Sequence, residues 1–245
     1  LVLRIAAEEL NGKVPVRAMG SEPRSARQMT RYLKLVEESG LEVSQVYSLD
    51  AGHGNKPTDE ELERYFDECL SATRLKTVIS THLAVGYLVP LPILERLAGR
   101  HPNLIGINCS TGDVQYMLQL IDLLGDRVEV HSGSPGLAIF AISAGAAGYL
   151  SSEANLAPRL CQSVITHHAA GDLRARDLAY VDVLRLWRIV YKYGSIRGTK
   201  AALKLLGLPG GHPRPPRLPV PDVLLPEIER SIEELGLRAS EAGVA

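Results

Sequence analysis

The sequence is short of cysteine, lacks any long apolar run and carries almost no net charge, and each shortage narrows what the chain can be. Its three cysteines, Cys69, Cys109 and Cys161, are odd in number and widely spaced. That pattern suits reduced thiols better than a disulfide framework, so the expected compartment is the cytoplasm. No stretch approaches the ~20 apolar residues that a membrane-spanning helix needs. The first ten residues carry Arg4, Glu8 and Glu9 and read as an amphipathic helix, not a signal peptide. A net charge of −1 offers no basic field to nucleic acid or to an anionic membrane, and neither is expected as a partner. No G-x-G-x-x-G follows the early strands, which counts against a dinucleotide site, and no cofactor is expected.

What is present is a steady alternation of short apolar runs and helical patterns. The expected strands are Val14–Ala18, Glu42–Leu49, Thr77–Thr81, Asn103–Asn108, Arg127–His131 and Gly148–Ser151. Between them lie helical stretches at Arg24–Ser39, Asp59–Thr73, Pro90–Gly99, Asp113–Leu124, Gly136–Ala144 and Pro158–Ala170. Repeated βα units of this length imply a parallel sheet, because parallel strands need crossover connections. The strands are apolar throughout, as in strands covered on both faces. This pattern allows a closed barrel or an open doubly wound sheet. Three further helical stretches follow, Leu173–Lys192, Ser195–Leu206 and Pro221–Leu235, with the Pro/Gly-rich loop Leu208–Pro219 between the last two. The expected organisation is a (β/α) region over residues 1–170 and a helical region over 171–245.

Several motifs occur in one collinear order. They are Asn55-Lys56-Pro57-Thr58, His101-Pro102-Asn103-Leu104-Ile105-Gly106-Ile107, Thr111-Gly112-Asp113 and Ser132-Gly133. Gly145 to Gly148 with Ser151, Asn155 and Pro158 follow, and then Lys200-Ala201-Ala202-Leu203. Together they resemble the dihydrodipicolinate synthase / N-acetylneuraminate lyase family over nearly the whole chain. The resemblance implies a (β/α)8 TIM barrel with extra C-terminal helices, of which this sequence holds strands three to eight. About 60 residues carrying the first two strands would precede Leu1. It implies a small 2-keto acid as ligand and a homo-oligomer as the assembled state. The family's imine-forming lysine, at the end of strand six, falls on Asn108, and an amide nitrogen is no nucleophile. Its proton-moving tyrosine falls on Thr81, and its tyrosine pair on His53-Gly54.

Function in such barrels sits at the C-terminal ends of the strands. The residues expected there are Gly20, Ser21, Asp50, His53, Thr81, His82, Asn108, Ser132, Gly133, Ser134, Ser151 and Glu153. In one reading the chain is a lyase or aldolase-like enzyme acting without a Schiff base. Asn108 and Thr81 would hold the substrate oxygen, His53 or His82 would move protons, and Ser21, Asp50, Ser132, Gly133 and Ser151 would bind substrate. In the other it is a non-catalytic family member, a pseudoenzyme that binds a ligand or a partner subunit. Asp50, His53 and His82 lack the demonstrated convergence of a metal site, so no metal is expected. Cys109 should point away from the axis if Asn108 points in. His131 reads as a packed core histidine.

Overall fold

The computed structural model describes residues 1–10 and 12–242 and divides into two compact units, Leu1–Tyr149 and Leu150–Ala245. The first unit opens with α1 (Val2–Leu10) and then alternates strand and helix. In order these are β1 (Arg17–Ala18), α2 (Ala26–Glu37), β2 (Val43–Tyr47), α3 (Asp59–Ser71), β3 (Lys76–His82), α4 (Leu91–Arg100), β4 (Leu104–Ser110), α5 (Val114–Leu124), β5 (Glu129–Ser132), α6 (Ala138–Ser143) and β6 (Gly148–Tyr149). All six strands are parallel and lie in sequence order in one sheet. The outermost strands β1 and β6 are shorter than their apolar runs suggest, because each has a ladder on one side only among the described residues.

Local chemistry fixes the helix starts. Thr58 caps α3 in a reciprocal capping box with Glu61, and Asp59, Glu60 and Glu61 place negative charge at the positive end of the helix dipole. Asp113 caps α5 by accepting from the Tyr116 N–H at 3.0 Å. The apolar stripes of these helices then close over one side of the sheet. Met29 and Leu33 of α2, Phe66 and Leu70 of α3, Leu94 and Leu97 of α4, and Met117 and Leu120 of α5 share a core with Val46, Ile79, Ile107 and Cys109 of the strands.

The sheet curls into a half-barrel. A flat sheet would separate β1 from β5 by four strand spacings, about 19 Å. Yet the charge of Arg17 on β1 acts on His131 of β5, and Glu129 of β5 acts on Arg17. The first and fifth strands therefore face each other across a concave side, opposite the helix layer.

The second unit is helical. It comprises α7 (Pro158–Ala169), α8 (Leu173–Lys192), α9 (Ile196–Leu205), α10 (Leu225–Glu234) and α11 (Leu237–Ser240). α7 packs along α8, and Leu186, Ile189, Val190, Ala202, Ile228 and Ile232 form the core of the bundle. The Pro/Gly-rich segment between α9 and α10 is a loop, as its composition predicts. Among the described residues no helix is long and apolar enough to cross a membrane.

Candidate active site on the concave face

Register decides which side chains meet. Tyr47 pairs with Ser80, Ser80 with Asn108, Asn108 with His131, and His131 with Gly148. Residues in register share a face, and successive residues alternate faces. Ile107 and Cys109 belong to the helix-side core, so Asn108 lies on the concave side and the whole belt lies there with it. One step toward the strand ends, His82 stands opposite Ser110. One step the other way are Gln45, Val78, Gly106 and Glu129. Gly133 fits against the belt only because it lacks a side chain. A Cβ there would lie 1.8 Å from Ser110 Oγ and 3.0 Å from Asn108 Oδ1.

The belt is buried and under-satisfied. Asn108 is 5% exposed and Gln45 1%. Asn108 Oδ1, Gln45 Oε1, His131 Nδ1 and His82 Nε2 are buried without a hydrogen-bond partner. Each such atom costs about 1–3 kcal/mol when left unpaired, so four on one face mark a place that suits a polar ligand. His82 Nε2 lies 3.1 Å from Glu22 Oε1, close enough for electrostatic attraction but out of line for a hydrogen bond. The His82 ring stands edge-on to Tyr47, with centroids 6.4 Å apart.

Burial governs the protonation states. It lowers the pKa of His82, against an opposing pull from Glu22. It lowers that of His131 too, where Arg17 acts in the same direction and Glu129 against it. Burial, helped by Glu22 and Tyr32, pushes the Tyr47 phenol up to about 12, against the effects of Arg17 and the Gly20 backbone. Both imidazoles are therefore neutral near pH 7 and Tyr47 keeps its proton. A stability consequence follows from linkage. Both histidines titrate lower when folded than at their ordinary value of 6.5, so the unfolded chain binds more protons as pH falls past that value. The stability is present in full above 6.5 and is lost as pH drops toward the folded values. Thermal melts from roughly pH 7.5 to 5.5 should show the midpoint falling with pH, and a His82→Gln/His131→Gln double variant should show a flatter dependence.

The structure brings together some of the residues expected from sequence and disperses others. Asn108, His82 and Gly133 gather on the concave face. Thr81 does not. It pairs with Cys109, faces the helices, and its hydroxyl accepts from the Val89 N–H at 2.9 Å; Ser80 takes the inward position. Ser132 is in register with Cys109 as well, and its hydroxyl donates to the Ser134 carbonyl at 2.8 Å. Cys109 points outward as alternation predicts, and burial pushes its thiol up to about 12. His53 is exposed on the loop after β2 in a left-handed backbone conformation, φ 55°. Ser21 is exposed. Asp50 accepts from the Gly52 N–H at 2.8 Å and lies 3.4 Å from Arg24. In the second unit, Ser151 donates to Glu153, whose carboxylate is fully buried and also accepts from Ser152. His131 is a belt residue and not a core filler. Tyr47, Ser80, Ser110 and Glu22 are the site residues that sequence reasoning passes over. Among the described residues no group of three or more His, Cys, Asp or Glu side chains is arranged to hold a metal.

Residues 1–235 match the model of the Dihydrodipicolinate synthetase family. The chain is 27% identical over 238 residues to the 4-hydroxy-tetrahydrodipicolinate synthase of Methanopyrus kandleri, covering 96% of this chain and 78% of that one. It is 31% identical over 186 residues to an uncharacterized DapA-like lyase of Pyrobaculum aerophilum, covering 72% of this chain and 62% of that one. Among solved structures, dihydrodipicolinate synthase of Thermotoga maritima aligns with TM-score 0.88 at 22% identity, covering 96% of this chain and 80% of that one. YagE, a prophage protein of the dihydrodipicolinic acid synthase family from E. coli K12 in complex with pyruvate, aligns with TM-score 0.86 at 19% identity and covers the same shares. These likenesses show a shared fold.

Proposed function

The chain belongs to the Dihydrodipicolinate synthetase family, and from that premise we propose that it handles a 2-keto acid, or a related small acid, on the concave face of its sheet without a lysine imine. In this reading its six strands correspond to strands three to eight of the family's (β/α)8 pattern. The observation that carries the proposal is Asn108: buried, central in the belt Tyr47–Ser80–Asn108–His131, and with an unpartnered Oδ1 that leaves the amide free to turn its N–H groups toward a ligand oxygen. The four lysines of the first unit, Lys13, Lys34, Lys56 and Lys76, are all exposed. An amide cannot attack a carbonyl carbon, but its N–H can donate to a carbonyl or carboxylate oxygen. The Ser110 hydroxyl adds a second donor, and Gly133, lacking a Cβ, leaves room for the Ser110 side chain beside Asn108.

Ligand-observed NMR with pyruvate tests this reading. Saturation transfer to the pyruvate methyl group is expected for the wild type. The near-isosteric Asn108→Leu should weaken binding about tenfold or more, by removing the donor while leaving the remaining polar atoms unpaired. Equal binding by the two proteins would sink the assignment.

The chain is further proposed to form homo-oligomers through α8. One side of this helix buries Val183, Leu186, Ile189 and Val190, yet Leu178, Val181 and Tyr191 are exposed and Trp187 stacks on Tyr191 at 5.3 Å. Helices that are apolar beyond their core-facing stripe seldom stand uncovered on soluble proteins. Light scattering at micromolar concentration should give at least about twice the chain mass, and Tyr191→Glu should reduce it. A wild-type monomer would contradict the proposal.

A further inference from the structure

We propose that His82, positioned by Glu22, is a general base that enolises a bound 2-keto acid without any covalent intermediate, giving this chain a proton-exchange activity at the carbon next to the carbonyl. The inference rests on the binding reading above and adds to it a reaction and the residues that perform it. Three observations converge. His82 ends β3 on the concave face with its buried Nε2 turned toward the Glu22 carboxylate, so Nδ1 is the ring nitrogen left to take a proton. Its register partner is Ser110, while Asn108 pairs with Ser80 two residues earlier. Strand spacing and rise put His82 and Asn108 roughly 8 Å apart along the diagonal at the backbone, a gap that their side chains and a three-carbon acid can bridge. Glu22 reaches the ring from the loop after β1 at 3.1 Å, and Tyr47 packs edge-on against it. A carboxylate beside an imidazole orients it and stabilises the imidazolium that forms when it takes a proton.

The step balances within the site and its solvent. The imidazole removes one methyl proton from pyruvate. The C–H electron pair becomes the C2=C3 double bond, and the carbonyl π pair moves onto oxygen. Asn108 N–H and Ser110 O–H donate to that enolate oxygen, stabilising the charge where it develops. The imidazolium exchanges its proton with solvent and returns one to C3, which restores the ketone. Nothing is oxidised or reduced, and no lysine is needed. Glu22 is a positioning residue and His82 the residue that meets the substrate. The charged and titratable groups facing the ring are Glu22 and Tyr47.

The test incubates the full chain with pyruvate in D2O and follows loss of the methyl proton signal by NMR, with binding measured on the same samples by saturation transfer. The wild type should exchange faster than buffer, and His82→Gln should lower the rate about 100-fold at saturating pyruvate. Glu22→Gln should move the pH profile of exchange to lower pH, since Glu22 raises the His82 pKa, and Glu22→Asp should partly restore it. A merely structural role for Glu22 would leave that profile in place. Binding without exchange above buffer would overturn the inference and leave the binding reading intact. No binding would remove both. Exchange that accompanies a borohydride-trapped adduct would assign the chemistry to an imine and overturn the role of His82.

Discussion

Phe66→Ala is expected to destabilise the protein by about 3–5 kcal/mol, while Phe140→Ala should change stability by no more than about 0.5 kcal/mol. The sequence has only these two phenylalanines, and the structure gives them opposite surroundings. Phe66 is fully buried on the core side of α3, whereas Phe140 is 55% exposed on α6. Removing the Phe66 ring deletes its apolar burial and leaves a cavity that a close-packed interior fills poorly. Phe66 also packs edge-to-face on Tyr65 at 4.9 Å, and Tyr65 donates to the Tyr47 carbonyl at 2.7 Å. The same contact thus helps hold β2, the strand that carries one end of the polar belt. Total stabilities of about 5–15 kcal/mol are usual, so the loss is large enough to read directly from the midpoint of urea unfolding. A Phe66→Ala midpoint matching the wild type would show that the α3 contact with the sheet is misdescribed.

The second large effect is chemical. Asn108→Lys should convert a chain that gives no borohydride-trapped pyruvate adduct into one that gives a stoichiometric adduct, still without aldol turnover. The side chain at this position is almost fully buried, and burial lowers a lysine pKa from its ordinary ~10.4, which favours the free amine. Turnover needs more than an amine. The register neighbour on β3 is Ser80, a hydroxyl too weakly acidic to serve as a ready proton donor. Tyr47 lies two strands from Asn108, about 10 Å at the backbone, and its phenol is pushed up to about 12. Residues that act as a unit do not return one at a time. The mass spectrum reads the adduct, and an assay for aldol addition to pyruvate reads turnover. Efficient turnover by this single variant would show that the remaining belt is competent family machinery.

Much of the fold was legible because its signals are local. Thr58 and Glu61 announce the start of α3, the Pro/Gly run announces the loop before α10, and the βα alternation announces the parallel sheet. The phase of the strands was harder to read. In β3, Val78, Ile79, Ser80 and Thr81 are all buried, so no apolar-polar alternation tells inside from outside. A register irregularity at Thr77/Val78 shifts the pairing with β4 as well. This is why Thr81 looked like an inward residue when Ser80 is the one beside Asn108. His131 failed for the same reason, since a lone histidine in a short strand carries no sign of its face. Tyr47 and Glu22 lie 61 and 86 residues from Asn108 in sequence, and only the folded sheet brings β2 and the loop after β1 to the concave face with it. Asn108 itself was readable because the Gly106-Ile107 motif fixes its place on β4.

The central claim is that this family member handles its keto acid without an imine, and intact-mass measurement of the wild-type chain after pyruvate and borohydride tests it most directly. The expected result is an unchanged protein mass under conditions in which saturation transfer shows pyruvate bound and Asn108→Lys is labelled. A stable adduct on any lysine of the wild-type chain would contradict the account.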